Sequence, residues 1–491
     1  MLKFLQTPVK TVKYYCMPVD IGKKISRTAD RPLSKIIKQT RCITMVSFFL
    51  FIFLHSSIYS FSQDNYTSDS TPSLTLDQCI NYSLKHQPSV NQALINESIA
   101  HLTNSIILGA WLPQVNANGS FTHYNNLPTN FIPNNANPGG PPLKTQTGVS
   151  NTFVPMLTAT QAIFSPQLLF AAKSAPLFIR QAQLGIDSAK IYTVAGVSKS
   201  FYSLLQTLEQ INVLKEDTAR LDKNLSDAYH QYIAGLVDET DYDEAGITLN
   251  NSKAQLKQAV ESIVPLYANL KQVMGYPPEK QFNVVVDTVQ MMQSIDFDTT
   301  AQLEYEKRIE YKQLENSKEI QEQTTHYYRS AFLPTLSAFF NYNLAFQNND
   351  LSSLFASSYP YSFMGLSFSI PIFTGFARIH SVQKSRLQEQ LIDWGSVSLR
   401  SEIYSQYTSA MANYKSNLYS LELMKDNVDK AKRVYTIVRL QYQQGVVAYL
   451  NVITAEENLI SSEIGYTNAL FQLLSSKIDL ETSMGIISTN Y

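Results

Sequence analysis

The stretch YIAGLVDETDYDE at residues 232–244 has a counterpart, YQQGVVAYLNVIT, at 442–454. Tyr232 and Gly235 recur as Tyr442 and Gly445, Ala245 and Leu249 as Ala455 and Leu459, and Met274 and Gly275 as Met484 and Gly485, every pair 210 residues apart. A single offset held over this span marks an internal duplication, so the fold is built twice from one plan.

Upstream the offset changes. WLPQ (111–114) matches FLPT (332–335) at 221, and Phe164 in IFSP matches Phe373 in IFTG at 209. The first copy therefore holds about a dozen extra residues between its LP and IF motifs. That interval contains NNLPTNFIPNNANPGGPP (125–142), whose Asn, Pro and Gly read as a loop.

After each LP motif come segments with period-two alternation. In TLSAFFNYNLAF, Leu336, Ala338, Phe340, Tyr342, Leu344 and Phe346 fall on one face, and Thr335, Ser337, Asn341 and Asn343 on the other. Met364, Leu366, Phe368 and Ile370 alternate likewise with Gly365, Ser367 and Ser369. Soluble strands average about 5–6 residues. Strands that cross a bilayer need about 9–11, and these segments fit the longer kind. The expected strands are about 114–124, 148–163, 335–346 and 361–371, the second weakened by Pro155.

The texture then turns helical. From Phe376 to Gln443 there is no Pro, and Tyr407, Tyr414, Leu421, Val428, Tyr435 and Tyr442 recur every seven residues, with Met424, Ala431 and Val438 between them. A helix of this length extends roughly 100 Å at about 1.5 Å per residue. The first copy lacks Pro from Leu177 to Val264, and Pro265 is placed to kink its returning helix. Helices are expected at about 167–233, 240–274, 376–443 and 449–485, with Gly235 and Gly445 as C-terminal caps at the hairpin turns.

The first hairpin tip is acidic: Asp238, Glu239, Asp241, Asp243 and Glu244 lie within seven residues, where the second tip has none. Such a knot reads as a divalent-ion site, an acid/base pair or a solvated turn that favours a helix N-terminus. Catalysis lacks support. The seven His are scattered and no HExxH, phosphate loop or GxSxG occurs, so no catalytic residue, metal site or cofactor is assigned.

Charge separates the ends of the chain. Residues 1–62 hold ten Lys or Arg against Asp20 and Asp30, which leaves 29 bases and 38 acids beyond, a net −9. A body this acidic argues against nucleic acid as a partner. The basic head precedes MVSFFLFIFL (45–54) and then small or polar residues, the pattern of a signal peptide, or of a short anchor. Cys79 alone lies beyond this head, which excludes an intramolecular disulfide and a Cys-based metal site there.

Taken in order, these motifs resemble the TolC-like outer-membrane efflux proteins. LTLDQCINYSLKHQPSV (74–90) is similar to the family's opening, and WLPQVNANGSF and FLPTLSAFFNY to its lead into the first strand of each repeat. SFSIPIFTGFAR (367–378) resembles its strand-to-helix junction, and YQQGVVAYLNVITAEENL (442–459) its hairpin.

The resemblance implies a mixed α/β membrane protein with residues 1–62 as basic head and signal peptide, and repeats at 63–290 and 291–491. Four transmembrane strands per chain would join in a homotrimer as a twelve-stranded barrel in outer-membrane lipid, above a periplasmic coiled-coil tunnel. Segments such as 277–305 would form an equatorial region. Function follows as the passive exit duct of a tripartite efflux or type I secretion system. A periplasmic adaptor and an inner-membrane transporter, either a proton-driven pump or an ABC type, would be its partners. Position by position, the family's gate falls on Asp241, Thr240 and Tyr442, with Asp238, Glu239, Asp243 and Glu244 at the periplasmic mouth. Its usual gate Arg is Val447 in this chain, and its usual Asp ring is Asn451 and Thr454. The rival reading is a periplasmic coiled-coil adaptor or scaffold without a channel, which the alternating strands disfavour.

Overall fold

The computed structural model describes residues 72–133, 140–285, 291, 295, 297–298 and 300–490. The basic head and signal peptide lie outside these residues, as does part of the segment 277–305.

Two short helices open the first repeat, α1 (Leu76–His86) and α2 (Pro88–Leu108). Thr75 and Gln78 form a capping box at the start of α1, and Pro88 begins α2 at a position where a missing N–H costs nothing. The strands are β1 (Ser73–Leu74), β2 (Gln114–His123), β3 (Thr129–Ile132), β4 (Leu143–Gln146) and β5 (Asn151–Phe164). Then come α3 (Pro166–Ile233) and α4 (Glu239–Met274), followed by β6 (Asn283–Val284), which pairs with β1 in parallel. The second repeat runs α5 (Ile309–Ser330), β7 (Thr335–Asn348), β8 (Ser358–Ser369), α6 (Ala377–Gln443) and α7 (Tyr449–Met484). Each long helix and each long strand lies within a few residues of its sequence-derived bounds. Helices α1, α2 and α5 are elements beyond those expected from the sequence.

β2, β5, β7 and β8 form one antiparallel sheet in that order, with β2 and β8 as its free edges. Pro155 sits in central β5. Its partner on one side is Gly119, while the ladder to β7 skips from Phe153–Phe346 to Met156–Asn343, where proline has no N–H to give. β2 is exposed at every residue and β8 at all but one, whereas central β5 and β7 are partly covered, with Asn151, Asn343 and Ala345 buried. The interval 125–142, expected as a loop, holds β3 and the approach to β4, which pair as a hairpin of their own.

The helices carry the core. Along α6 the seven-residue seam is covered as expected, with Tyr414, Leu421, Tyr435 and Tyr442 buried and Tyr407 and Val428 half-buried. Helix α3 runs through Pro176 and α4 through Pro265. Beside Pro176, buried Asn104 of α2 donates to the Ala175 carbonyl at 3.0 Å and buried Asn316 of α5 to the Leu177 carbonyl at 3.0 Å. The short helices are thereby pinned to the bend-prone turn of the long one. Among the described residues no helix is long and apolar enough to cross a membrane. Cys79 is buried in the core with its thiol pushed up to about 12 by burial, so it packs as a small apolar residue.

Candidate functional site

The two hairpins turn in the same way. Gly235 has φ +72° and Gly445 φ +70°, a left-handed backbone that L side chains rarely adopt. Each stands one residue beyond the cap. At the first turn Gly235 N donates to Tyr232 O and Leu236 N to Gln231 O; at the second, Gly445 N donates to Tyr442 O and Val446 N to Gln441 O, all at 2.9 Å. This closes the last carbonyls of each outgoing helix and reverses the chain.

The acidic knot starts the returning helix. Asp238 is the N-cap of α4, and Glu239 and Asp241 lie in its first turn, where negative charge meets the positive end of the helix dipole. Asp238, Glu239, Thr240, Asp243 and Glu244 are exposed, and Asp241 is half-buried. Burial, and then Glu244 and Asp238, hold its carboxyl above the usual range. Among the described residues no group of His, Cys, Asp or Glu is arranged to hold a metal ion, so the divalent-ion reading gains no support.

Tyr442 is buried where the two hairpins meet, its ring 5.2 Å from that of Tyr449, beside Ala228 and Ala245 of the first hairpin. Its hydroxyl is pushed up to about 12 by burial, then by Asp241 and Asp227. Asp241 thus lies close enough to act on Tyr442 through its charge. Among the described residues no hydrogen bond joins them, and the Tyr442 Oη has no hydrogen-bond partner. An unpaired buried hydroxyl costs about 1–3 kcal/mol, which favours any rearrangement that supplies an acceptor. Next to it a groove of about 300 Å³ opens between α3 and α6, lined by Asn224, Asp227, His230, Arg439, Tyr442 and Tyr449. Val447 packs half-buried against this cluster, as a valine can and an arginine would not. Exposed Asn451 and Thr454 turn back onto their own helix, to Ala448 O and Leu450 O.

Sequence reading missed a second polar group farther from the tips. Glu456 of α7 and Asp217 of α3 are almost wholly buried, and both bind Arg220, at 3.3 Å and 3.5 Å. Asn224 Nδ2 donates to Glu456 Oε2 at 2.5 Å, and Ser252 of α4 donates to Asp217 Oδ2 at 2.6 Å. Glu463 reaches Arg220 at 3.7 Å and Lys432 of α6 at 3.2 Å. The missed signal lay in the heptads. Leu214, Asp217, Leu221, Asn224 and Ala228 form one buried seam on α3, and Tyr449, Val452, Glu456 and Leu459 another on α7.

The outer membrane efflux protein family matches the chain over residues 80–276 and 314–486. The chain is 19% identical over 325 residues to outer membrane protein TolC of Vibrio cholerae, covering 63% of this chain and 71% of that one. Its fold is similar to that of CusC, with TM-score 0.70 and 16% identity over 87% of this chain and 95% of that one. It is similar also to the CmeC outer membrane channel of Campylobacter jejuni, with TM-score 0.66 and 16% identity over 88% and 92%.

Proposed function

The chain belongs to the outer membrane efflux protein family, and on that footing we propose that three copies close one twelve-stranded barrel, with their helices as a periplasmic tunnel. The family makes it an efflux channel of the outer membrane, a duct and not a member of an enzyme class.

One observation carries the trimer. The sheet has four strands of 10, 14, 14 and 12 residues, long enough to span, yet β2 and β8 are left as open edges. An open edge is not tolerated in lipid, where every backbone N–H and C=O must be paired. Four strands cannot close on themselves, so β2 of one copy meets β8 of the next. The bare faces of β2 and β8 support this, since their apolar side chains need lipid or a neighbour. Repeats at 63–290 and 291–491 each supply two strands and one hairpin.

At the far end the hairpin tips form the gate. Asp241, with Thr240 beside it, latches onto Tyr442, and the buried Tyr442 hydroxyl that lacks an acceptor supports this, since the nearby Asp241 carboxylate is a group that could accept from it. Threefold repetition would set Asp238, Glu239, Asp243 and Glu244 around one narrow mouth that repels anions. A periplasmic adaptor and an inner-membrane transporter complete the assembly.

Native mass spectrometry of the detergent-purified protein tests the stoichiometry. Three chains per particle are expected, and a stable monomer or dimer would contradict the shared barrel.

A further inference from the structure

We propose that Glu456, Asp217 and Arg220 form a proton-locked clamp: one proton held in this cluster keeps the two hairpins together near their tips, and its release loosens them.

Placement is the first support. Asp217, Arg220 and Asn224 belong to the outgoing helix of the first hairpin, Ser252 to its returning helix, and Glu456 and Glu463 to the returning helix of the second. The cluster therefore ties one hairpin to the other. Tyr449, whose ring packs on Tyr442, precedes Glu456 by seven residues, two turns along the same buried seam of α7.

Charge is the second. The charged and titratable groups that act on Glu456 are Asp217 and Arg220 from α3, Tyr435 and Arg439 from α6 and Tyr449 from α7 itself, while Glu463 of α7, paired with Lys432 of α6, joins the cluster through Arg220, and Ser252 of α4 through Asp217. Lys432 is matched to Glu463, which leaves Arg220 between two buried carboxylates. When Glu456 is neutral, Arg220 and Asp217 balance. When it is ionised, Arg220 is shared in direct contact by two buried carboxylates, and Arg439 offsets the second charge only from a distance. The Asn224 amide that donates to the carboxylate can, turned over, accept from the carboxylic acid, so the neutral form keeps its partner.

Direction follows from linkage. Burial, and then Asp217, push the Glu456 carboxyl up to about 7. If the hairpins part, water reaches Glu456 and its affinity for the proton falls to the ordinary carboxylate value. The closed packing binds the proton more tightly, so acid stabilises it and alkali weakens it. Access exists, because Arg220 is partly exposed and Asn224 lines the open groove beside Tyr442.

Hydrogen exchange read by mass spectrometry on the full, detergent-solubilised protein decides the matter independently of any conductance. After correction for intrinsic rates, opening of 214–228 and 449–463 should be about tenfold more frequent near pH 8 than near pH 6, as a pKa of about 7 requires. Glu456→Gln, a neutral isostere, should remain closed at both pH values, while Glu481→Gln should keep the wild-type response. Equal protection of the wild type at the two pH values would overturn the clamp, as would a full pH response in Glu456→Gln. If the glutamine variant does not fold, the wild-type comparison alone decides. A failed duct reading would show instead as absent conductance with this exchange response intact.

Discussion

Gly275 is pressed against the backbone of His86: a Cβ at Gly275 would stand 2.7 Å from the His86 carbonyl oxygen. Gly485 repeats the contact in the second copy, where a Cβ would stand 2.8 Å from the Lys307 carbonyl oxygen. Each returning helix thus ends by docking on the chain just before a helix of its own repeat. Both glycines also have positive φ, +66° and +70°. Gly235 and Gly445 share the backbone but face open space.

Alanine should separate these two causes. At Gly235 or Gly445 it costs about 1–2 kcal/mol for the left-handed backbone alone. At Gly275 or Gly485 the clash with backbone adds to that, for a loss of about 2–4 kcal/mol. Thermal denaturation of the four variants checks the order.

Removing the cation from the buried cluster should be costly. Arg220→Ala leaves Asp217 and Glu456 without their shared partner, a loss of about 3–5 kcal/mol. The sign with pH is fixed by the raised carboxyl of Glu456. Its folded value of about 7 exceeds the ordinary 4.5, so its neutral form is favoured by folding and stability falls as pH rises across that window. Arg220→Ala is therefore expected to lose more at about pH 8 than at about pH 5, which denaturant titration at the two pH values measures.

On β8 the exposed side chains Met364, Leu366 and Phe368 alternate with Gly365 and Ser367. In a barrel the apolar set meets lipid. Leu366→Arg should then cost about 2–4 kcal/mol near the bilayer midplane and deplete the protein from outer membranes, while Ser367→Arg, facing the lumen, should be carried there normally. Quantification in outer-membrane fractions distinguishes them, and equal loss in both would argue against this assignment of faces.

Much of the architecture was legible because the duplication is arithmetic. The contact of Gly275 with the His86–Gln87 turn and that of Gly485 with Lys307–Arg308 reproduce the two offsets, 221 before the extra loop and 210 after it. The seam through Tyr414, Tyr435 and Tyr442 was legible for a similar reason, since a heptad of aromatics has one plausible use. Helices α1, α2 and α5 were not. In α2 the residues Ile95, Ile99, Leu102 and Ile106 do recur at helical spacing, but they remain exposed, with no partner in the chain's own core to mark the stripe as a packed one. The β3–β4 hairpin was hidden because its turn chemistry outweighed four-residue strands. At the tips, it is the family resemblance that pairs Asp241 with Tyr442, and nothing in the residues themselves says that the hydroxyl stands without an acceptor. The buried acids escaped because Asp217 and Glu456 look like any solvated charge on a helix. The packing of α4, α6 and α7 around α3 covers them, and that is a tertiary fact.

Single-channel conductance in planar bilayers tests the gate most directly. Tyr442→Phe keeps the ring that packs on Tyr449 and removes only the hydroxyl, and Asp241→Ala removes only its proposed partner. Both variants are expected to raise the resting conductance above that of the wild type, and the double variant to add little to either, because the two groups form one latch. Resting conductance unchanged in both single variants would place the closure elsewhere and contradict the assignment of Asp241 and Tyr442.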